Sequence, residues 1–164
     1  MPRIQRLPQV DDVRQSLLGH QQTIPDEYLD GMGHMNVMWY THLFSQGNHG
    51  LLKRIGIDAK NPTNGSGSFV MENHFWYLSE VHAGQTVSIF ARVLERDVKR
   101  FFGCSVMVNE TTNRIAAIMR GASSHVDLQT RRSAPFPAEI ADALDILIQQ
   151  QKRLDWPVPD IANG

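Results

Sequence analysis

Near residue 60 the hydrophobic period of this chain changes from helical to alternating, and that change restricts the fold more than any other feature. From Val37 to about Ile55 the apolar residues keep helical spacing. Tyr40, Leu43, Phe44, Gly47, Leu51 and Ile55 form one stripe, and Val37, Met38, Trp39 and Leu52 widen it. A helix apolar around so much of its girth is expected to be largely buried. Gly47 and Gly50 each disfavour a helix interior by about 0.5–1 kcal/mol relative to Ala, so another backbone is expected to pass close to them. Asn36 is the natural N-cap. Residues 58–68, rich in Gly, Ser, Asn and Pro, read as a loop. Beyond them the period becomes two: Phe69–Leu78, Thr86–Leu94, Phe101–Val108 and Ile115–Val126 read as strands joined by short polar turns, hence antiparallel hairpins. The expected class is α+β, with a curved antiparallel sheet wrapped around the central helix and burying it.

The flanks are shorter elements. Residues 8–18 carry Val10, Val13, Leu17 and Leu18 at helical spacing behind Asp11 and Asp12, and predict a short amphipathic helix. Gln21–Ile24 predicts a brief strand stopped by Pro25. Glu139 to Leu154 predicts a C-terminal helix with Ile140, Leu144, Leu147 and Ile148 on its apolar face, and Trp156–Asp160 an extended tail. With 164 residues there is room for one domain. The expected division is a helical extension over 1–19, the main domain over 20–137, and a helix and tail over 138–164.

Composition narrows the function classes. Lys and Arg number 16 against 17 Asp and Glu, a net charge of −1, which gives no overall attraction to nucleic acid or anionic lipid. No apolar run approaches the roughly 18 residues of a membrane span, and Met1–Arg6 lacks the apolar centre of a signal peptide, so a cytoplasmic protein is expected. Cys104 is the only cysteine, so neither an intrachain disulfide nor a thiolate cage can form, and it reads as a small core residue. His42 and His49 share a helix face without a His-Glu-x-x-His pattern, so no metal is expected. Ser66 and Ser68 lack the Gly-x-Ser-x-Gly setting of a nucleophilic serine.

The residues richest in chemistry are Asp30-Gly31-Met32-Gly33-His34-Met35-Asn36, followed at once by the long helix. They place a carboxylate, a glycine turn and a helix N-terminus in one small volume. The first amides of a helix lack intrahelical partners and carry the positive end of its dipole, so they can hold an oxyanion. A carboxylate beside such donors suits a hydrolytic site. Each residue also has a structural reading: Asp30 as a solvated turn carboxylate, His34 as a histidine bonded to a backbone carbonyl, Asn36 as a cap only, Tyr40 as a core tyrosine, and Glu72 as a solvent-facing strand residue.

The stretch Asp30-x-x-Gly33-His34-Met35-Asn36, with Tyr40 and Phe44 on the next helix, resembles the signature of the hotdog-fold acyl-CoA thioesterases, in the 4-hydroxybenzoyl-CoA thioesterase-like branch. The similarity runs through Phe75-x-Tyr77-Leu78-x-Glu80-x-x-x-Gly84, Val126-Asp127 and Arg131-Arg132, and spans roughly residues 20–137. Tyr28 stands where the family often has a second acid, Val37 where a second Asn is frequent, and Gln85 where Asp is usual.

The resemblance implies a homodimer or dimer of dimers with the active site at a subunit interface. Asp30 would be nucleophile or general base, and the Val37 backbone amide the oxyanion donor, with His34 and Asn36 beside them. It implies acyl-CoA as the small-molecule partner, with coenzyme A present only as part of the substrate and no separate cofactor. Gly33, Tyr40, Glu72, Asn73, Arg131 and Arg132 are the substrate-binding candidates; Lys99 and Arg100 also suit phosphates. Glu72 is the reserve acid. The alternative is a non-catalytic acyl-CoA sensor or carrier using the same groove. A hotdog dehydratase is disfavoured, since its His motif before a Pro-Gly-rich segment is missing.

Overall fold

The computed structural model describes residues 6–161. Its elements are helix α1 (Val10–Val13), strand β1 (Leu17–Thr23), a single 3-10 turn (Asp26–Tyr28), helix α2 (Val37–Arg54), strands β2 (Ser66–Tyr77), β3 (Thr86–Arg96), β4 (Arg100–Asn109), β5 (Arg114–Asp127) and β6 (Arg132–Ser133), and helix α3 (Ala138–Gln151). The strands form one antiparallel sheet in the order β1-β3-β4-β5-β2, with β6 on the end of β5. The sheet curls around α2, so β1 and β2 are its two edges.

Helix α2 starts where expected. Asn36 sits in extended conformation and its Oδ1 accepts from the Met38 amide at 3.1 Å, satisfying one of the orphan donors of the first turn. Tyr40, Leu43 and Phe44 pack with Ile89, Met107, Ala117 and Met119 of the sheet. The glycines have the predicted reason. A Cβ on Gly50 would lie 2.7 Å from the Gly19 carbonyl oxygen, a Cβ on Gly19 would strike the Gly47 carbonyl, and one on Gly47 would strike Ile89. Helix and edge strand therefore touch backbone to backbone, at the point where β1 slips register between Leu18 and His20.

The helix is not buried all round. Val37 and Met38, in its first turn, are 56% and 60% exposed, while the backbone of α2 runs nearest to β1 and β3. The N-terminal helix is also shorter than predicted: it ends at Val13, and Leu17 and Leu18 belong to β1, paired with Ala91 and Phe90. An isolated helix of a few turns is marginal, whereas a strand on this edge gains a ladder of backbone hydrogen bonds. β1 thus begins inside the segment expected to be helical, and residues 1–5 lie outside the described residues. β2 begins at Ser66, taking three residues from the expected loop, and α3 stops at Gln151 rather than Leu154.

The outer face of the sheet is covered as well. Phe90, Cys104, Val106 and Ile118 pack under Val13, Leu154 and Trp156, so the extended tail lies across the back of the sheet. Arg92 and Arg120 tie it down, donating to the Trp156 and Pro159 carbonyls at 3.1 and 2.7 Å. Cys104 is buried, and that burial pushes its thiol up to about 12, as fits a core residue rather than a nucleophile.

Candidate active site

The chain from Asp30 to Asn36 is a tight turn closed by bonds of its own backbone and anchored at its end, where the Met35 and Asn36 amides donate to the Val81 and Tyr28 carbonyls. Asp30 donates its amide to the His34 carbonyl at 3.0 Å, and Gly33 donates back to the Asp30 carbonyl at 3.1 Å. Gly33 has φ +85°, the left-handed region, while space around it is open; the glycine is required by conformation rather than by crowding. One oxygen of the Asp30 carboxylate accepts from the Met32 amide at 2.9 Å. The other lies 3.6 Å from His34 Nδ1. The Asp30 side chain is 19% exposed, and that exposed part faces a cavity.

This cavity, about 460 Å³, is lined by the turn, by Asn36, Val37 and Tyr40 of α2, and by Tyr77, Ser79 and Glu80 from the far end of β2. The Val37 amide is the first of α2 and has no intrahelical acceptor. Tyr40 and Tyr77 meet edge to face, with centroids 5.2 Å apart, and Phe75 stacks on Tyr77 at 6.0 Å. The Tyr40 hydroxyl donates to the Ser79 carbonyl at 3.4 Å. Burial, and then the neighbouring Tyr77 and Glu80, push Tyr40 up to about 12, so it keeps its proton at neutral pH.

Six of the sequence candidates are thus brought together: Asp30, Gly33, His34, Asn36, Val37 and Tyr40. The other four stand elsewhere. Glu72 and Asn73 are exposed on the edge strand, and Asn73 borders a second cavity of about 420 Å³ between α2 and the sheet, where His49 Nδ1 is buried without a hydrogen-bond partner among the described residues. Arg131 and Arg132 lie at the opposite end of the sheet. Arg131 has φ +60°, uncommon for a residue with a side chain, and its guanidinium lies over the Phe69 ring at 5.4 Å. Arg100, in contrast, is held by Asp97 at 2.6 Å and is a weaker phosphate candidate than its position suggested. Tyr77, Ser79 and Glu80 are cavity residues that sequence reasoning left off the site. Two signals pointed there: strand alternation, which sets Tyr77 on the same face as Phe75, and the resemblance through Phe75-x-Tyr77-Leu78-x-Glu80.

Comparison with known proteins decides the class. Residues 24–144 match the thioesterase-like superfamily. The chain belongs to that superfamily. It is a hotdog-fold thioester hydrolase, and the α+β arrangement of one long helix in a curled antiparallel sheet is the hotdog fold. The betainyl-CoA thioesterase of Pseudomonas aeruginosa is 29% identical over 147 residues, which cover 89% of this chain and 91% of that protein. A Staphylococcus aureus protein solved in complex with CoA is similar over 91% of this chain and 97% of its own, with a TM-score of 0.79 and 25% identity. A 1,4-dihydroxy-2-naphthoyl-CoA thioesterase from Synechocystis, 13% identical, shares the fold with a TM-score of 0.67 over 78% of this chain and 95% of its own. Among the described residues of this thioesterase no cluster of His, Cys, Asp or Glu could hold a metal ion, and no helix is long and apolar enough to cross a membrane.

Proposed function

We propose that the protein hydrolyses an acyl-CoA to the free acid and coenzyme A in the cytoplasm, with Asp30 as the catalytic carboxylate and no cofactor. The observation that carries this is the Asp30 carboxylate on the wall of the 460 Å³ cavity beside the first amide of α2. Asp30 either adds to the thioester carbonyl carbon, giving an Asp30–acyl anhydride that water then opens, or takes a proton from water as the water adds. In both routes the Val37 amide, at the positive end of the helix, stabilises the oxygen as it becomes negative. The C–S bond breaks, coenzyme A leaves as a thiolate and takes up a proton, and the acid is released. His34 orients the Asp30 carboxylate, and Asn36 fixes the helix start. An Asp30→Asn variant is expected to fold normally and lose about 10²–10⁴ in kcat; wild-type turnover in that variant defeats the assignment. Tight acyl-CoA binding without turnover by the wild type would point to the sensor or carrier instead.

The substrate-binding candidates at the far end fit a homodimer. Phe69, Val70 and Met71, exposed by 43%, 57% and 58% in the middle of edge strand β2, are an apolar unpaired edge. Antiparallel pairing of two such edges about a two-fold axis sets the Ser66 end of one protomer beside the Tyr77 end of the other. Arg131 and Arg132 would then serve the phosphates of the coenzyme A bound at the partner's Asp30, and Glu72 and Asn73 would lie along the seam.

A cationic acyl group suits the cavity. Its charged lining is Asp30 and Glu80, no Lys or Arg among the described residues borders it, and the edge-to-face pair of Tyr40 and Tyr77 lines it; aromatic rings and carboxylates are the usual surroundings of a quaternary ammonium. The betainyl-CoA thioesterase of P. aeruginosa is named for such a substrate. Betainyl-CoA is expected to exceed its neutral isostere 3,3-dimethylbutanoyl-CoA in kcat/KM by about tenfold. Equal values for the pair would remove the cationic reading and leave the thioesterase reading standing.

A further inference from the structure

The turn that carries Asp30 is gripped from outside by two consecutive residues of the β2–β3 connection. The Val81 carbonyl, fully buried, accepts from the Met35 amide at 2.7 Å. Next to it His82 Nδ1 lies 3.1 Å from the Gly33 carbonyl oxygen. A carbonyl can only accept, so Nδ1 carries the hydrogen and Nε2 faces outward, 3.5 Å from the Glu80 carboxylate. His82 is itself fixed to the sheet. Its amide donates to Gln85 Oε1 at 2.9 Å, and the same oxygen accepts from Asn109 Nδ2 at 2.8 Å, with Asn109 fully buried at the end of β4. A continuous path therefore runs from the sheet through Asn109, Gln85 and His82 to the Gly33 carbonyl.

Gly33 is where such a tether matters. It has no side chain of its own to pack, it sits in open space at positive φ, and its peptide joins the Asp30 end of the turn to His34. Loosening that peptide changes where the Asp30 carboxylate and His34 point, while leaving the sheet and α2 untouched. The imidazole is half exposed, so the contact adds little to global stability. We propose that His82 is a positioning residue of the thioesterase reaction: its Nδ1–H holds the Gly33 carbonyl and so aims the Asp30 turn at the thioester. This rests on the reading of Asp30 as the catalytic carboxylate.

The test compares His82→Leu, which removes the donor, with His82→Asn, whose side-chain amide can place a donor close to the original Nδ1. Steady-state kinetics on an acyl-CoA the wild type hydrolyses, and thermal unfolding, are measured for both. His82→Leu is expected to lose between about ten- and a hundredfold in kcat, as a small displacement of a catalytic group does, with KM and Tm close to wild type. His82→Asn is expected to recover most of the loss. Wild-type kcat in His82→Leu overturns the proposal, as does equal impairment of the two variants, or a fall in Tm that accounts for the lost activity. If His82→Leu does not fold, His82→Ala replaces it in the same comparison. Asp30→Asn is assayed alongside: activity there defeats the Asp30 reading, whereas an inactive Asp30→Asn beside a fully active His82→Leu defeats only the tether.

Discussion

The two ends of edge strand β2 differ in chemistry. At Tyr77 the neighbours are two carboxylates, two tyrosines and a helix N-terminus. At Ser66 they are Asp127 and the arginines that follow it, with Arg131 lying over Phe69. The first set suits a thioester carbonyl and its acyl group, and the second suits phosphates. Eight residue steps of about 3.3 Å lie between Phe69, under Arg131, and Tyr77, roughly 26 Å along the strand. In the proposed acyl-CoA site one protomer would carry both halves, set far apart along the strand. The proposed antiparallel pair of protomers would set each arginine end beside the other's Asp30.

The largest expected effect comes from breaking that pairing. Met71→Glu on the apolar edge is expected to give monomers in sedimentation and to abolish most acyl-CoA hydrolysis, because the proposed cleft between the paired edges comes apart and leaves the Asp30 end open to water. A monomer with full activity would show that the two ends act separately. A sharper form mixes subunits: Asp30→Asn with an Arg131→Ala/Arg132→Ala double variant. If the ends cooperate across the interface, random mixing leaves about a quarter of the sites intact, and the low-substrate rate of the mixture exceeds that of either parent. If they cooperate within one chain, no site is intact and the rate does not recover.

The arginines alone should matter less. Arg131→Ala/Arg132→Ala is expected to raise KM for acyl-CoA about tenfold with kcat nearly unchanged, since a charge-assisted hydrogen bond contributes about 1.5–3 kcal/mol and both groups are exposed. The effect should fade at high ionic strength. It should be missing for an acyl-pantetheine, which lacks the nucleotide phosphates; an equal KM defect there would place the arginines outside phosphate recognition.

How much of this was legible in the sequence follows from distance along the chain. The acid, the glycine turn, the cap and Tyr40 fall within eleven consecutive residues, so helix periodicity alone groups them. The opposite wall was out of reach, because Tyr77, Glu80 and His82 meet the turn only through the curl of the sheet. The bulge between Val70 and Glu72 also interrupts the alternation of β2, so counting by twos from Phe69 fails to give the faces of Glu72 and Asn73. At the N-terminus, Val10, Val13 and Leu17 fit a helical period by chance of spacing, and the unpaired edge of β3 claimed Leu17 instead. The exposed start of α2 departs from a fully buried helix for a related reason: Val37 lines the cavity and Met38 is exposed, so neither joins the core.

Tyr40 carries the smallest expected effect and the clearest pH signature. Its hydroxyl meets the Ser79 carbonyl at 3.4 Å, a long bond, so Tyr40→Phe is expected to lower kcat/KM by only about two- to fivefold. Because its burial raises it from 10 to about 12, the phenol is neutral wherever the enzyme is assayed near neutral pH. The pH–rate profiles of wild type and Tyr40→Phe should therefore run parallel from about pH 6 to 9. The same raised value sets the direction of an effect on stability. A buried neutral phenol supports the fold fully below pH 10, and that support is lost as the pH climbs through about 12, since the unfolded chain ionises first. Thermal unfolding between those two values should show a steeper alkaline decline in wild type than in Tyr40→Phe. Identical declines would mean that the hydroxyl is open to water, and that the Asp30 end is as solvated as the arginine end.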